Sequence, residues 1–333
     1  MTISQSAALP LENSRPAPTE HAGNGSRTAG IAGGSHVALS GVSKHYGSVQ
    51  AVQHVDLNLQ PGECVALAGH NGAGKSTLIK LILGLIRPSA GQVRLLGHEA
   101  ASREIAQVRR HIGYLPETVA LYPSLTGAET LAFYARLKGL PCGDNARLLA
   151  RVGIAGAASR RVGGYSKGMR QRLALAQALL GSPRVLLFDE PTTGLDPASR
   201  LMFYEIVREL RDTGATVLLS THVLTELEGN TDRVVVMKNG RKVADGSMSA
   251  LRRSSQLPVR LRITLPAHDA RPGQLPDGWE RVSERQYELA CSEAHKIAAL
   301  QGIATLGLPL DDIDIHAPSL DDMYAQILKR EDI

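Results

Sequence analysis

The run Gly69-His-Asn71-Gly72-Ala-Gly74-Lys75-Ser76-Thr77 has residue types and spacing that can do phosphate chemistry. It fits the pattern G-x-x-x-x-G-K-[ST], in which glycines let successive backbone N–H groups approach phosphate oxygens. Asn71 lies inside the same turn, and a helix opening at Lys75 would add a field that favours anions. Lys75 can reach the β- and γ-phosphates of a nucleotide, and the Ser76 hydroxyl can ligate Mg²⁺. A second element, Val185-Leu-Leu-Phe-Asp189-Glu190, ends an apolar run on two carboxylates. Asp189 can hold the metal shell there, and Glu190 can orient an attacking water.

Such residues need a scaffold that brings strand ends together. Cys64–Ala68, Val185–Phe188, Thr216–Leu219 and Val234–Met237 are short apolar runs with almost no polar alternation. That is how strands buried on both faces read. Helical stretches lie between them, including Ser76–Leu85, Gly168–Leu180 and Pro197–Thr213. Alternating strands and helices predict an α/β domain with a largely parallel sheet over residues 36–250. The rhythm changes after Ala250. Val259–Leu265 alternates as a half-exposed strand does, Gln286–Ala290 is a second strand candidate, and Ser319–Lys329 reads as a terminal helix opened by a serine cap with Asp322 three residues on. Residues 251–333 therefore read as a small α+β accessory domain. In residues 1–35, Ala, Gly, Ser, Thr, Pro and Asn fill 24 positions, which predicts a disordered tail without the apolar stretch of a secretory signal.

Further motifs carry a family resemblance. Tyr165-Ser166-Lys-Gly168-Met-Arg-Gln-Arg172 is similar to the signature sequence of ATP-binding-cassette (ABC) ATPases. Pro191-Thr-Thr-Gly-Leu-Asp196 resembles that family's D-loop, and Ser220-Thr-His222 its switch histidine. Lys44-His-Tyr46-Gly resembles the loop on which adenine stacks, and Glu117 stands at the Q-loop position. The resemblance covers residues 36–250 in the family's order. It departs from the usual pattern at Lys167 and Met169 in the signature, and at Glu117, where the family has Gln.

The resemblance implies an ABC-type nucleotide-binding domain with a helical subdomain, ATP and Mg²⁺ as cofactors, and ATP hydrolysis as the activity. Glu190 would orient water, His222 would contact the γ-phosphate, and Asp196 would couple two sites. With one phosphate loop and one signature in the chain, a homodimer is needed for two complete sites, each loop facing Ser166 and Gly168 of the partner. The stretch Tyr122–Leu131 would help receive a separate transmembrane permease, and Pro318-Ser-Leu-Asp-Asp-Met-Tyr324 is similar to the ending of export-type members. Gly113–Tyr122, Gly164–Arg170 and Leu257–Arg262 narrow the resemblance to the ATPases of the copper-processing ABC system that serves nitrous oxide reductase maturation. That reading adds a periplasmic copper-handling protein as a partner and places the chain on the cytoplasmic face of the inner membrane. An exporter of a drug, lipid or polysaccharide, or an ABC ATPase acting on ribosomes or DNA, is the alternative.

Composition sets the outer bounds. The 333 residues carry 37 Lys+Arg against 32 Asp+Glu, a formal charge of +5, with 43% apolar residues. The excess is spread out, so no nucleic acid is expected as partner. No stretch of 18 apolar residues occurs, as a membrane-spanning helix would require. Cys64, Cys142 and Cys291 are scattered and lack metal spacing, the usage of a reduced compartment. The histidines and methionines do not cluster either, so metal specificity is expected to reside in partners.

Overall fold

Valines and leucines in an interrupted alternation open the described part of the chain. In the computed structural model they form strand β1 (Val37–Tyr46) and strand β2 (Val49–Leu59), paired antiparallel. Val52, Val55, Leu57 and Leu59 are buried, and from Val55 onward they alternate with exposed residues, as one buried face demands. The structure describes residues 34–330 apart from 104, 267–274, 276, 306 and 308. The expectation of disorder over residues 1–35 lies, up to residue 33, outside the described residues.

A central strand, β3 (Cys64–Ala68), follows, and then helix α1 (Lys75–Ile82). Strands β4 (Ala90–Leu95) and β5 (His98–Glu99) complete an antiparallel sheet in the order β2-β1-β4-β5. The chain continues through α2 (Ile105–Val108), β6 (Ile112–Leu115), α3 (Gly127–Leu137), α4 (Asn145–Arg151) and α5 (Lys167–Ala178). Then come β7 (Val185–Asp189), α6 (Pro197–Asp212), β8 (Thr216–Thr221), β9 (Arg233–Lys238) and β10 (Arg241–Gly246). The second sheet runs β10-β9-β3-β8-β7-β6, parallel throughout except for the β10–β9 pair.

Every residue of β3, β7 and β8 is buried, which is why their sequences show no alternation. Alternate residues of β3 serve different cores. Val65 and Leu67 pack with Leu78, Ile79 and the antiparallel sheet. Cys64, Ala66 and Ala68 face the other way, into a core with α5 and α6. Burial, followed by the neighbouring Asp232 carboxylate, pushes the Cys64 thiol up to about 12. It is a neutral packing group.

Helix ends follow local side-chain chemistry. Thr126 and Glu129 form a reciprocal capping box at the start of α3. The Thr126 backbone N–H, then its hydroxyl, hold the Glu129 carboxyl below its usual range. Helix α1 stops short of the expected Leu85. Gly84 turns the chain at φ +64°, where an added Cβ would sit 2.1 Å from the Ala100 carbonyl oxygen, and Leu85 is 57% exposed.

The C-terminal part comprises α7 (Met248–Ser255), β11 (Val259–Thr264), β12 (Trp279–Arg281), β13 (Gln286–Cys291), α8 (Lys296–Thr305), β14 (Asp312–His316) and α9 (Leu320–Arg330). Its antiparallel sheet, β12-β13-β11-β14, has a small core of Ile263, Leu265, Tyr287 and Ile303. Helix α9 leaves that sheet. Its Met323 is fully buried in the same core as α5 and α6.

Candidate active site

In a doubly wound sheet, ligands bind beyond the carboxyl ends of the parallel strands, where connecting loops converge. Strand β3 ends at Ala68 and α1 begins at Lys75, so residues 69–74 form the loop between them. Two glycines make its shape possible. A Cβ on Gly69 would lie 2.6 Å from the Met237 carbonyl oxygen, and one on Gly74, at φ +102°, 2.5 Å from that of Ala51.

Lys75 is buried, and its Nζ donates to the carbonyl oxygens of Gly69 at 2.6 Å and His70 at 3.3 Å. The same ammonium stands 3.6 Å from Glu190 Oε1. The other oxygen of Glu190 accepts from His222 Nδ1 at 2.8 Å. Glu190 adopts φ +50°, a conformation that costs a non-glycine residue about 1–3 kcal/mol and persists where neighbours over-determine it. One neighbour is Ser220, whose Oγ accepts from the Glu190 N–H at 3.0 Å. The Ser220 hydroxyl donates in turn to Asp189 Oδ1 at 2.6 Å, and the Ser76 hydroxyl donates to the same oxygen at 3.2 Å.

Lys75, Ser76, Glu190 and His222 border an open cavity of about 810 Å³. Tyr46, Asn71, Gly72, Gly74, Lys75, Ser76, Thr77, Glu117, Glu190 and His222 all line it. Gly69 and Asp189 stand just behind it, through their bonds to Lys75 and Ser76. Tyr46 is half exposed, with the Lys44 ammonium 5.0 Å from its ring centre. Burial, then the charges of Asp189 and Glu117, push the Tyr114 hydroxyl above its usual range, so it stays protonated beside the site.

Three expected residues lie elsewhere in the chain. Ser166 is the N-cap of α5, its Oγ accepting from Met169 N–H. Gly168 follows in the first turn, and the Lys167 side chain rests against Gly194. Asp196 caps α6, and the Ser199 hydroxyl and N–H that donate to it hold its carboxyl below the usual range. Ser166, Gly168 and Asp196 do not border the cavity that holds Lys75. Gln171 Nε2 donates to the Pro191 carbonyl at 3.2 Å and ties α5 to the segment that leads to Asp196.

The donor set suits Mg²⁺. Among the described residues no group of three His, Cys, Asp or Glu side chains converges to hold a metal. Ser76 and Asp189 offer two hard oxygens side by side, and Mg²⁺ is commonly bound through one or two protein oxygens together with substrate phosphates.

Two participants escape a reading of the motifs. Ser220 belongs to the Ser-Thr-His run, but only the histidine stands out there, and the serine's reach to both Asp189 and Glu190 follows from the β7–β8 register that pairs Asp189 with Ser220. Tyr324 of α9 accepts a hydrogen bond from the His70 backbone N–H at 2.9 Å. No sequence signal marks that contact.

Known proteins share this arrangement. Residues 52–193 match the family model described as ABC transporter. The uncharacterized ABC transporter ATP-binding protein YxlF of Bacillus subtilis is 36% identical over 303 residues, covering 88% of this chain and 99% of that protein. The daunorubicin/doxorubicin resistance ATP-binding protein DrrA of Streptomyces peucetius is 40% identical over 238 residues, covering 70% and 71%. The Nod factor export ATP-binding protein I of Burkholderia thailandensis is 40% identical over 214 residues, covering 63% and 70%. Among solved structures, an ATP-binding subunit of an ABC transporter superposes with a TM-score of 0.62 at 36% identity, over 66% of this chain and 92% of that one. The dimeric bacterial ABC transporter cassette MJ0796 superposes with a TM-score of 0.60 at 27% identity, over 64% and 98%. With a phosphate loop in this setting and a 36% identical relative matched along 99% of its length, the chain belongs to the ABC transporter family, as an ATP-binding subunit and an ATPase.

Proposed function

We propose that this chain hydrolyses MgATP as the paired motor of an exporter-type ABC transporter, on the cytoplasmic face of the inner membrane. The observation that carries the catalytic assignment is the position of Glu190, held between Lys75 and His222 at the mouth of the phosphate loop. The loop N–H groups and the α1 N-terminus would receive the phosphates, with Lys75 exchanging loop carbonyls for phosphate oxygens. Tyr46 offers a face for adenine. Mg²⁺, when bound at Ser76 and Asp189, would neutralise charge on the β- and γ-phosphates. Glu190, released from Lys75, would accept a hydrogen bond from water and aim its oxygen at the γ-phosphorus, in line with the departing ADP. His222 would hold Glu190 and meet the γ-phosphate as charge develops.

Ser166, Gly168 and Asp196 have no role in the cavity of their own chain. Their place outside it supports a homodimer in which each signature helix completes the partner's site. The exposed apolar residues Tyr122, Phe133 and Leu137 support a docking face for a separate transmembrane permease. Tyr122 and Phe133 meet edge to face at 5.9 Å. No described helix is long and apolar enough to cross a membrane, so the membrane path would belong to that partner.

For the cargo system we favour copper-site maturation of nitrous oxide reductase, with a periplasmic copper-handling protein as further partner. The support is the likeness of Gly113–Tyr122, Gly164–Arg170 and Leu257–Arg262 to ATPases of that system. Export of a drug, lipid or polysaccharide is the competing reading, and the identity to the daunorubicin-resistance and Nod factor export proteins favours it. Affinity purification of the tagged chain from gently solubilised membranes separates them. A permease with a copper-maturation protein supports the first, a permease of a drug, lipid or polysaccharide system supports the second, and recovery with ribosomes or DNA removes both.

A further inference from the structure

We propose that Tyr324 is a positioning residue for the phosphate loop, through which the C-terminal segment sets the affinity for ATP. Its hydroxyl oxygen accepts from the N–H of His70, 254 residues earlier in the chain. The carbonyl of Gly69 belongs to the same peptide unit, and it accepts from Lys75 Nζ at 2.6 Å. A peptide unit is planar and rigid, with its N–H and C=O pointing in opposite directions. One plate is therefore gripped on one side by Tyr324 and on the other by the lysine that would meet the phosphates.

Neighbouring packing leaves each grip little freedom. Met323, adjacent to Tyr324, is fully buried in the large core, and the Tyr324 ring packs partly buried against the same core. The start of α9 is fixed by a reciprocal cap, with Ser319 Oγ accepting from Asp322 N–H and Asp322 Oδ2 accepting from Ser319 N–H. On the loop side, Gly69 lies so close to the Met237 carbonyl that a Cβ would stand 2.6 Å from it. The His70 carbonyl accepts from Ala73 N–H at 3.1 Å. The Tyr324 phenol holds the N–H of the plate, and Lys75 holds its carbonyl.

Without the hydroxyl the plate keeps only the lysine grip, which nucleotide binding itself removes, so ATP must order the loop as it binds, which weakens affinity. This inference rests on the loop being the ATP site. The test is Tyr324→Phe in the full chain, which keeps the ring and removes one oxygen. In nucleotide-free protein, hydrogen–deuterium exchange at the His70 amide is expected to rise about 2- to 10-fold, the factor carried by one neutral hydrogen bond. The Kd of a non-hydrolysable ATP analogue and the KM for ATP are expected to rise by a similar factor, with kcat changing much less and the thermal midpoint retained. Unchanged exchange at His70 with unchanged affinity would overturn the proposal, and tighter nucleotide binding would overturn it by making the contact a latch. Lys75→Ala, measured alongside, separates the two readings. If it binds the analogue as well as wild type does, the loop is not the ATP site; if only Tyr324→Phe leaves binding unaltered, the positioning role alone fails.

Discussion

Asp189 and Ser220 are paired twice over: their residues face each other in the β7–β8 register, and the serine hydroxyl donates to Asp189 Oδ1 at 2.6 Å. That oxygen also receives the Ser76 hydroxyl. The same serine oxygen receives the N–H of Glu190. One small side chain thus joins the Asp189 carboxylate to the backbone of Glu190.

Ser220→Ala is expected to lower ATP turnover by about 10–100-fold, the usual cost of removing a group that orients a metal ligand. The Mg²⁺ concentration needed for half-maximal rate is expected to rise with it. Steady-state ATPase assays titrated with MgCl₂ check both, and a variant with wild-type Mg²⁺ dependence would remove Ser220 from that role.

Glu190→Gln keeps size and shape but removes the carboxylate that pairs with Lys75 and His222. Turnover is expected to fall by about 10²–10⁴-fold, the range for loss of a positioned acid–base group. ATP binding is expected to survive, and size-exclusion chromatography with ATP is expected to reveal a trapped dimer. Turnover equal to wild type would take Glu190 out of catalysis.

Glu117 is exposed at the rim of the cavity and is not hydrogen-bonded to Ser76 or Asp189. Glu117→Gln is therefore expected to retain hydrolysis within a few-fold of wild type, since the change removes a negative charge near phosphates. Loss of hydrolysis, measured by phosphate release, would mean that the carboxylate itself is required.

His36 links distant parts of the fold, with Nδ1 2.8 Å from Thr216 Oγ1 and Nε2 3.1 Å from Arg184. Burial, followed by the Arg184 charge, lowers its pKa. A histidine depressed in the folded state binds protons more readily when unfolded, so its contribution is complete above about 6.5 and is lost as the pH falls through the lower folded value. Urea midpoints are expected to decline between about pH 7 and pH 5.5, and His36→Gln is expected to flatten that slope. An equal slope in the variant would assign the decline to other groups.

The parallel strands were readable because burial on both faces leaves an uninterrupted apolar run, as in Val185–Phe188, and Ser319 with Asp322 is a cap visible as a spacing. The antiparallel sheet was harder to read. In β1 the inward residues go from Leu39 to Val42 across an irregularity at Gly41, φ +56°, which breaks the two-residue period. The phosphate loop and its carboxylates were legible because phosphate chemistry restricts residue types at fixed spacing. The bonds of Ser220 and Tyr324 were not, since they arise from strand register and from a helix returning to the core.

Strand β3 is a party wall, with one set of its side chains belonging to the room on one side and the other set to the room behind. Neither room can be opened while that wall stands, and the phosphate loop is hung from its end. The amides of residues 65–68 are therefore expected to exchange only on global unfolding, last in the molecule, as native-state exchange can measure.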